Sequence, residues 1–141
     1  MDVATLYKNL ENNILRRDRL GKRLRRSCRR ATTEEELREV VEGVKALRTS
    51  RKALIRVLGL LRGMDSFGGF EEYLITIIEY MSLAGVHIER DVLLDVAGLL
   101  KRHRSTEQYA EEILNIDMVE IERLAEDLRA TLEVIKARSG T

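Results

Sequence analysis

Nine Arg or Lys side chains are concentrated in residues 16–30, where Asp18 is the only acidic residue. Guanidinium groups stay charged and can bind two phosphate oxygens at once. Each phosphate that a cation neutralises adds affinity because counterions are released from the nucleic acid. The chemistry offered by these residue types is therefore recognition of an anion, above all a phosphate backbone.

Most of these cations fall on one side of a predicted helix. At about 100° per residue, the apolar residues of segment 3–28 share an arc of roughly 120°. Cations at this spacing repel one another by a few tenths of a kcal/mol per pair, so their grouping favours a surface that meets something negative. We call the cations on the opposite side the basic face. They are Arg16, Arg19, Lys22, Arg23, Arg25, Arg26, Arg29 and Arg30.

The longest row within the basic face rises fourteen residue steps along the helix, or about 21 Å. This row consists of Arg16, Arg19, Arg23, Arg26 and Arg30. Tyr7 is the only aromatic residue nearby, so stacking on unpaired bases is not indicated. Asn and Gln, which read base edges, are missing from this face. We therefore expect backbone and shape recognition of duplex or structured RNA or DNA, with little sequence preference.

Anions other than nucleic acid are also possible partners of the basic face. The net charge of +1 is the sum of a basic N-terminal half and an acidic C-terminal half. Residues 1–63 carry 17 Lys or Arg against 8 Asp or Glu, whereas residues 64–141 carry 8 against 16. The basic face could instead match the chain's own acidic half, a second copy or a protein partner. An anionic membrane is a further alternative, but we do not expect it because the apolar arc lacks Trp and Phe.

Two arginines occupy positions where leucine would be expected. Arg17 falls inside the apolar arc, and Arg51 interrupts the apolar seam of the second predicted helix. A buried charge needs a partner, so one interpretation is that both pair with carboxylates of the acidic half and fix register or oligomeric state. The simpler interpretation is that each lies at the edge of the core and extends outward into water.

The composition predicts an all-α fold, because the chain has no Pro, no Trp and 35% charged residues. The first helix ends near residue 30, and a capping box of Thr33 and Glu36 begins a second helix that extends to Gly63. Only a short connection joins them, which predicts a long antiparallel hairpin. "GMDSFGG", residues 63–69, is a turn that could serve as a hinge.

Three further helices are predicted in the acidic half. One stops near Gly85, a broadly apolar helix follows it, and a capping box of Ser105 and Gln108 begins the last. Asp117 could cap a new helix and split this last segment. Its apolar residues repeat in steps of four and three, which is typical of a coiled-coil seam. This seam comprises Leu114, Met118, Ile121, Ala125, Leu128, Leu132 and Ile135.

We therefore expect a single all-helical domain over residues 1–141, with a basic hairpin (1–63) and an acidic half (64–141). The predicted architecture is a bundle of about five helices with a coiled-coil-like C-terminal helix. Helices shorter than the hairpin would leave part of its apolar seam exposed. A second copy could cover that seam, so we expect a homodimer.

Catalytic and cofactor sites are not indicated by the sequence. His87, His103 and Cys28 lie on separate predicted elements, and a capping box separates His103 from Glu107, the one pair with metal-binding spacing. Cys28 has basic neighbours that could lower its thiol pKa, but its place on the apolar arc favours a small core residue. We expect no enzyme, no metal and no cofactor.

The expected function is nucleic-acid binding through the basic face, by contacts to the phosphate backbone and with little sequence specificity. The alternative is an adaptor or scaffold protein whose seam from Leu114 to Ile135 binds a partner helix. Residues 1–13 lack the features of a signal peptide, and no apolar run has the length of a membrane span. We expect an intracellular protein. The basic run has the composition of a nuclear import signal, so the cytoplasm and the nucleus both stay open.

Overall fold

The computed structural model of the protein describes residues 1–139, and all of the regular structure in that range is helical. Helix α1 spans Val3–Arg30 and helix α2 spans Glu34–Arg62. Between them the capping box forms as predicted: the Thr33 hydroxyl accepts from the Glu36 amide, and the Glu36 carboxylate accepts from the Thr33 amide. The predicted all-α class and the N-terminal antiparallel hairpin are thus confirmed.

The acidic half forms two long helices rather than three shorter ones. Helix α3 covers residues 71–101 and helix α4 covers residues 107–138. Each contains a single wide π turn, Met81–Gly85 in α3 and Ile113–Asp117 in α4. These turns lie where the sequence predicted a stop near Gly85 and a split at Asp117. The bundle therefore has four helices where the sequence predicted about five, because a π turn inserts a residue without breaking the helix.

The predicted capping box of Ser105 and Gln108 does not form. Helix α4 begins at Glu107, and its N-cap residue Thr106 makes no side-chain cap. Instead the Thr106 hydroxyl donates to the Leu100 carbonyl at 2.8 Å, and the Ser105 hydroxyl donates to Glu34 at 3.0 Å. These two contacts hold the connection between α3 and α4 against the last turn of α3 and the start of α2.

The four helices form a bundle in which each helix packs mainly against two neighbours. Helix α1 contacts α2 and α3, and helix α4 contacts the same two helices from the other side. The α2–α3 connection therefore crosses a diagonal of the bundle. Phe67 in this connection is fully buried, and Gly68 and Gly69 have φ angles of 53° and 88°. The buried ring anchors the segment, which argues against the predicted hinge.

Helices α3 and α4 are at least as long as the hairpin, so they cover its length. The buried residues of all four helices form one hydrophobic cluster. All eight positions of the predicted α2 seam are buried within this one chain. They are Leu37, Val40, Val44, Leu47, Arg51, Leu54, Leu58 and Leu61. The homodimer was expected because part of the hairpin seam would be exposed, and the structure shows that this seam is buried. The oligomeric state itself stays a prediction.

The absence of a side chain at Gly43 of α2 makes room for Leu24 of α1. A Cβ atom at this position would lie 2.7 Å from Cδ2 of the buried Leu24. Overpacking a core costs about 1–3 kcal/mol, whereas Ala is favoured over Gly in an open helix by about 1 kcal/mol. We expect Gly43→Ala to be about 1–3 kcal/mol less stable than Gly59→Ala, the matched variant on the exposed side of α2, in urea unfolding. Equal stabilities would contradict this packing.

Candidate nucleic-acid interface

The basic face lies along the outer side of α1. The opposite side of this helix is anchored in the core by Leu6, Leu10, Ile14 and Leu24, all of which are buried. All eight cations of the basic face are exposed to solvent. The cations therefore lie on the side of α1 that the sequence predicted, because α1 is a continuous α-helix without a turn that would change its periodicity.

None of the eight cations pairs with a carboxylate in the described part of the chain. Within residues 1–139, no ion pair shorter than 4.0 Å and no side-chain hydrogen bond involves a residue of the basic face. The carboxylates of the acidic half that do form ion pairs bind other Arg and Lys residues. Direct pairing between the basic face and the acidic half, one of the alternatives from the sequence, is therefore not what the structure shows.

Two shallow grooves run along the flanks of the basic face. On the α2 side, Arg23, Arg26 and Arg30 share a groove with Glu36 and Glu39. The Glu36 carboxylate is already occupied by the capping box, which lowers its pKa through hydrogen bonds from the backbone and hydroxyl groups of Thr32 and Thr33. This flank is therefore mixed in charge, although the guanidinium groups stay unpaired.

The α3 side of the basic face gains a cation that the sequence did not reveal. Arg25 and Arg29 line a groove with Arg102, the C-cap residue of α3, next to Asp95. Arg102 is exposed and lies more than seventy positions from Arg29 along the chain. No periodicity within α1 could have identified it, because only the packing of α3 against α1 brings the two together.

In the core of the bundle, Arg51 of α2 is fully buried and binds three carboxylates. Its Nη1 donates to Asp117 at 2.8 Å and to Glu120 at 2.7 Å, while its Nη2 donates to Glu89 at 2.9 Å. Burial alone would lower the pKa of Arg51, but the charge of Glu89 and the bonds to Asp117 outweigh it and raise the pKa. Arg51 thus links α2 to both α3 and α4.

Arg48 and Arg17 extend this buried charge network on either side. Arg48 donates to both oxygens of Asp117, at 3.1 and 2.7 Å, and these bonds raise its pKa. Arg17 donates from Nη2 to Glu89. Burial lowers the pKa of Arg17, and the charge of Glu89 only partly offsets this effect. Arg17 is therefore the least compensated cation of the network.

The two interpretations of Arg17 and Arg51 can now be separated. Outward extension into water was wrong, since the Arg17 and Arg51 side chains are 11% and 0% exposed. Pairing with carboxylates of the acidic half is confirmed for both residues. The accompanying idea, that the pairs fix the oligomeric state, stays a prediction.

The sequence analysis did not identify Glu89 and Asp117 as the partners of the buried arginines, although the position of each acid among apolar residues was a signal. Glu89 lies between Val86 and Leu93, and Asp117 lies four residues from both Ile113 and Ile121. Both acids therefore occupy apolar faces, as Arg51 does. Asp117 was predicted to be a helix cap, but its side chain is fully buried and binds arginine.

The predicted seam of the C-terminal helix is only partly buried. Ile121, Leu128 and Ile135 lie in the core, whereas Leu114 is 45% exposed and Ile113 is buried in its place. The π turn causes this change because it inserts one residue between Ile113 and Ile121. The buried part of the seam faces the other helices of the bundle, so it is not open to a partner helix.

Residues considered for catalysis or metal binding are dispersed. Cys28 is half-buried and packs against the core rather than inside it. Burial raises the pKa of its thiol, and Asp95 adds to this effect, which argues against an activated nucleophile. His87 lies beside Arg90, its neighbour on α3. Within residues 1–139, no three His, Cys, Asp or Glu side chains are placed together as metal ligands.

The fold and this site define an all-α four-helix bundle with a solvent-exposed basic face on its first helix and a buried charge network in its core. Among the described helices, none is both long and apolar enough to cross a membrane. Comparison of the chain with protein-family models, with curated proteins and with solved structures found no match.

Proposed function

We propose that the protein binds the phosphate backbone of duplex or structured nucleic acid through the basic face of α1. The observation that supports this proposal is a contrast between two sets of arginines. Those that enter the core, Arg17, Arg48 and Arg51, all have carboxylate partners. The eight cations of the basic face have none in the described chain, although the protein has 24 acidic residues.

The dimensions of the basic face suit a nucleic-acid duplex. The row from Arg16 to Arg30 is about 21 Å long, which corresponds to about six base pairs at 3.4 Å per step on each strand. Because the inner side of α1 is anchored in the core, the helix presents its outer half as a ridge. Such a ridge can follow a line of phosphates without entering a groove deeply enough to read bases.

The charge asymmetry of the chain favours one orientation of the protein on the nucleic acid, with α1 facing the phosphates. Residues 64–141 have twice as many acidic as basic residues, so α3 and α4 are repelled by a polyanion that α1 attracts. Arg102 belongs to the acidic half but joins the groove of Arg25 and Arg29. We therefore add Arg102 to the proposed interface.

The experiment is a fluorescence anisotropy titration of the protein against a labelled 20-base-pair duplex and an RNA hairpin at 50 mM salt. We expect binding to both, with dissociation constants of about 1–100 μM, the ordinary range for non-specific complexes. Unlabelled duplexes of unrelated sequence should compete equally, because the basic face lacks groups that read bases. A folded protein that binds neither probe at 50 mM salt would overturn the proposal.

The adaptor alternative has less support from the structure. The buried side of the C-terminal seam contacts the protein's own bundle, and the apolar residues left exposed near it are Leu114, Ile116 and Val119. If the titration shows no binding, an adaptor role through this exposed group becomes the function to test.

The expected homodimer would place two basic faces on one duplex. Sedimentation of the free protein measures the oligomeric state independently of nucleic-acid binding.

A further inference from the structure

An exposed tyrosine of α3 lies beside the cations of α1. Tyr80 is 42% exposed and lines a groove between α1 and α3. Gly21, Lys22 and Arg25 line the α1 side of this groove, and Ile88 joins Tyr80 on the α3 side. The side chains of Lys22, Arg25 and Ile88 are also exposed. Periodicity within α1 could not place an aromatic ring here, because Tyr80 reaches the basic face only through the packing of α3 against α1.

The Tyr80 ring has no aromatic partner within residues 1–139. The ring pairs in that range join Tyr7, Phe70 and Tyr73, which lie near the start of α3. Proteins that bind single-stranded nucleic acid combine aromatic rings, on which bases stack, with cations that contact the backbone. Such stacking tolerates any base, so it agrees with a basic face that has no groups for reading base edges. Tyr80 is therefore a candidate platform for an unpaired base.

The groove is large enough for a base beside this ring. It contains about 210 Å³ of space, and an engineered cavity of about 150 Å³ admits benzene. Gly21 leaves the α1 side open, because a Cβ atom built on it would meet nothing within 4 Å. Ile88 is 46% exposed and adds apolar surface on the α3 side. A six-membered base ring therefore has room between the two helices.

A line of cations continues from this groove toward the C-terminal end of α3. Arg25 lines both this groove and the next one, where Arg29 and Arg102 join it. Lys22 and Arg29 are seven residues apart, or about 10.5 Å, which is the length of about three nucleotides at 3.4 Å per step. These four cations outnumber the exposed acidic residues that line the same two grooves. Those acids are Asp18 and Asp95.

We propose that the protein prefers nucleic acid with an unpaired tail, which lies along the groove between α1 and α3. One unpaired base stacks on Tyr80, while the four cations of the two grooves hold the phosphates of the tail. This inference rests on the proposed function, since the longest row of the basic face holds the adjoining duplex. The preferred ligand is therefore a junction between a duplex and about three unpaired nucleotides.

Three variants isolate the contribution of the Tyr80 ring. Tyr80→Leu removes the ring but keeps an apolar side chain, and Tyr80→Phe keeps the ring. Tyr73→Leu is the matched control, because Tyr73 lies on the same helix, is 62% exposed and does not line the groove. None of the three changes a charge, so the attraction to phosphates stays the same in all of them.

The test is a fluorescence anisotropy titration at 50 mM salt with three forms of one 20-base-pair duplex. The first is blunt, the second carries a tail of three thymidines, and the third carries a tail of three abasic nucleotides, which keeps the phosphates without the bases. Tails on the 3′ and the 5′ end are both measured. We expect the thymidine tail on at least one end to bind at least about five-fold more tightly than the abasic tail, the lower end of what one stacked base contributes.

The variants should separate stacking from phosphate contacts. Tyr80→Phe and Tyr73→Leu should keep the five-fold preference for thymidine over abasic tails, and Tyr80→Leu should lose it. All three variants should bind the blunt duplex as the unmodified protein does, which also shows that they are folded.

Two results would overturn this inference and leave the proposed function intact: blunt duplex binds but thymidine and abasic tails bind equally, or the preference for thymidine persists in Tyr80→Leu. A loss of the preference in Tyr73→Leu as large as that in Tyr80→Leu would also overturn the assignment to Tyr80. Binding of none of the three duplexes would overturn both the inference and the proposed function.

Discussion

Replacing Arg51 with methionine is expected to lower the free energy of unfolding by about 3–5 kcal/mol, the usual effect of removing one partner from a buried charge network. The substitution leaves the Glu89 and Asp117 side chains, 4% and 0% exposed, with less positive charge around them. Methionine is similar to arginine in length and flexibility, so the loss reflects charge rather than a cavity. Urea denaturation followed by far-UV circular dichroism measures it.

Arg56→Met serves as the matched control for Arg51→Met. Arg56 lies on the same helix and is exposed, so its replacement should change the free energy of unfolding by no more than about 0.5 kcal/mol. If Arg51→Met and Arg56→Met unfold at the same urea concentration, the network does not stabilise the bundle as described.

A double variant separates the buried pair from the rest of the network. Asp117→Asn combined with Arg51→Met removes both charges of the shortest fully buried pair. The Arg17–Glu89 pair stays intact, and Arg48 is 18% exposed and can reach solvent. We therefore expect the double variant to lose at least about 1 kcal/mol less than the sum of the two single losses.

Charge reversal on the basic face should abolish nucleic-acid binding while preserving the fold. We expect the triple variant of Arg19, Arg23 and Arg26 to glutamate to lose at least about 100-fold in affinity for a 20-base-pair duplex at 50 mM salt. Three of the five cations in the longest row are removed, and three negative charges then repel the phosphates. Fluorescence anisotropy measures the loss.

The matched control is the triple variant of Arg56, Arg123 and Arg129 to glutamate. These arginines are exposed on α2 and α4 and have no ion pair in the described chain, so the net charge changes by the same amount away from α1. The control should keep affinity within about ten-fold, since only the long-range field is altered. Equal losses in both triple variants would mean that net charge, not the basic face, determines binding.

The parts of the fold that sequence reasoning predicted correctly depend on local and regular signals. Thr33 and Glu36 form a capping box within four residues, and the apolar arc of α1 repeats without interruption over the whole helix. The seam of α2 was predicted for the same reason. Arg51 drew notice because a single charge interrupts an otherwise apolar repeat, and its need for a carboxylate follows from the cost of burying a charge.

The π turns could not be predicted because the sequence supports two registers. Counting back seven positions from Ile121 reaches Leu114, and counting back eight reaches Ile113, which is equally apolar. Heptad spacing selects Leu114, whereas the π turn in α4 buries Ile113 instead. In the register that forms, Asp117 binds Arg48 and Arg51, and those contacts exist only after α2 and α4 have packed together.

The candidate interface likewise has one part that the sequence predicts and another that depends on how the helices pack. Its eight cations on α1 follow from the helical period alone, whereas Arg102 joins them only through the packing of α3.

The central claim is tested most directly by the salt dependence of duplex binding. If the five cations of the longest row on the basic face each neutralise one phosphate, the logarithm of affinity should fall with the logarithm of salt concentration with a slope of about −4.5, or about 500-fold between 50 and 200 mM salt. A slope near zero, or an equally steep slope for the variant with Arg19, Arg23 and Arg26 reversed, would contradict the account.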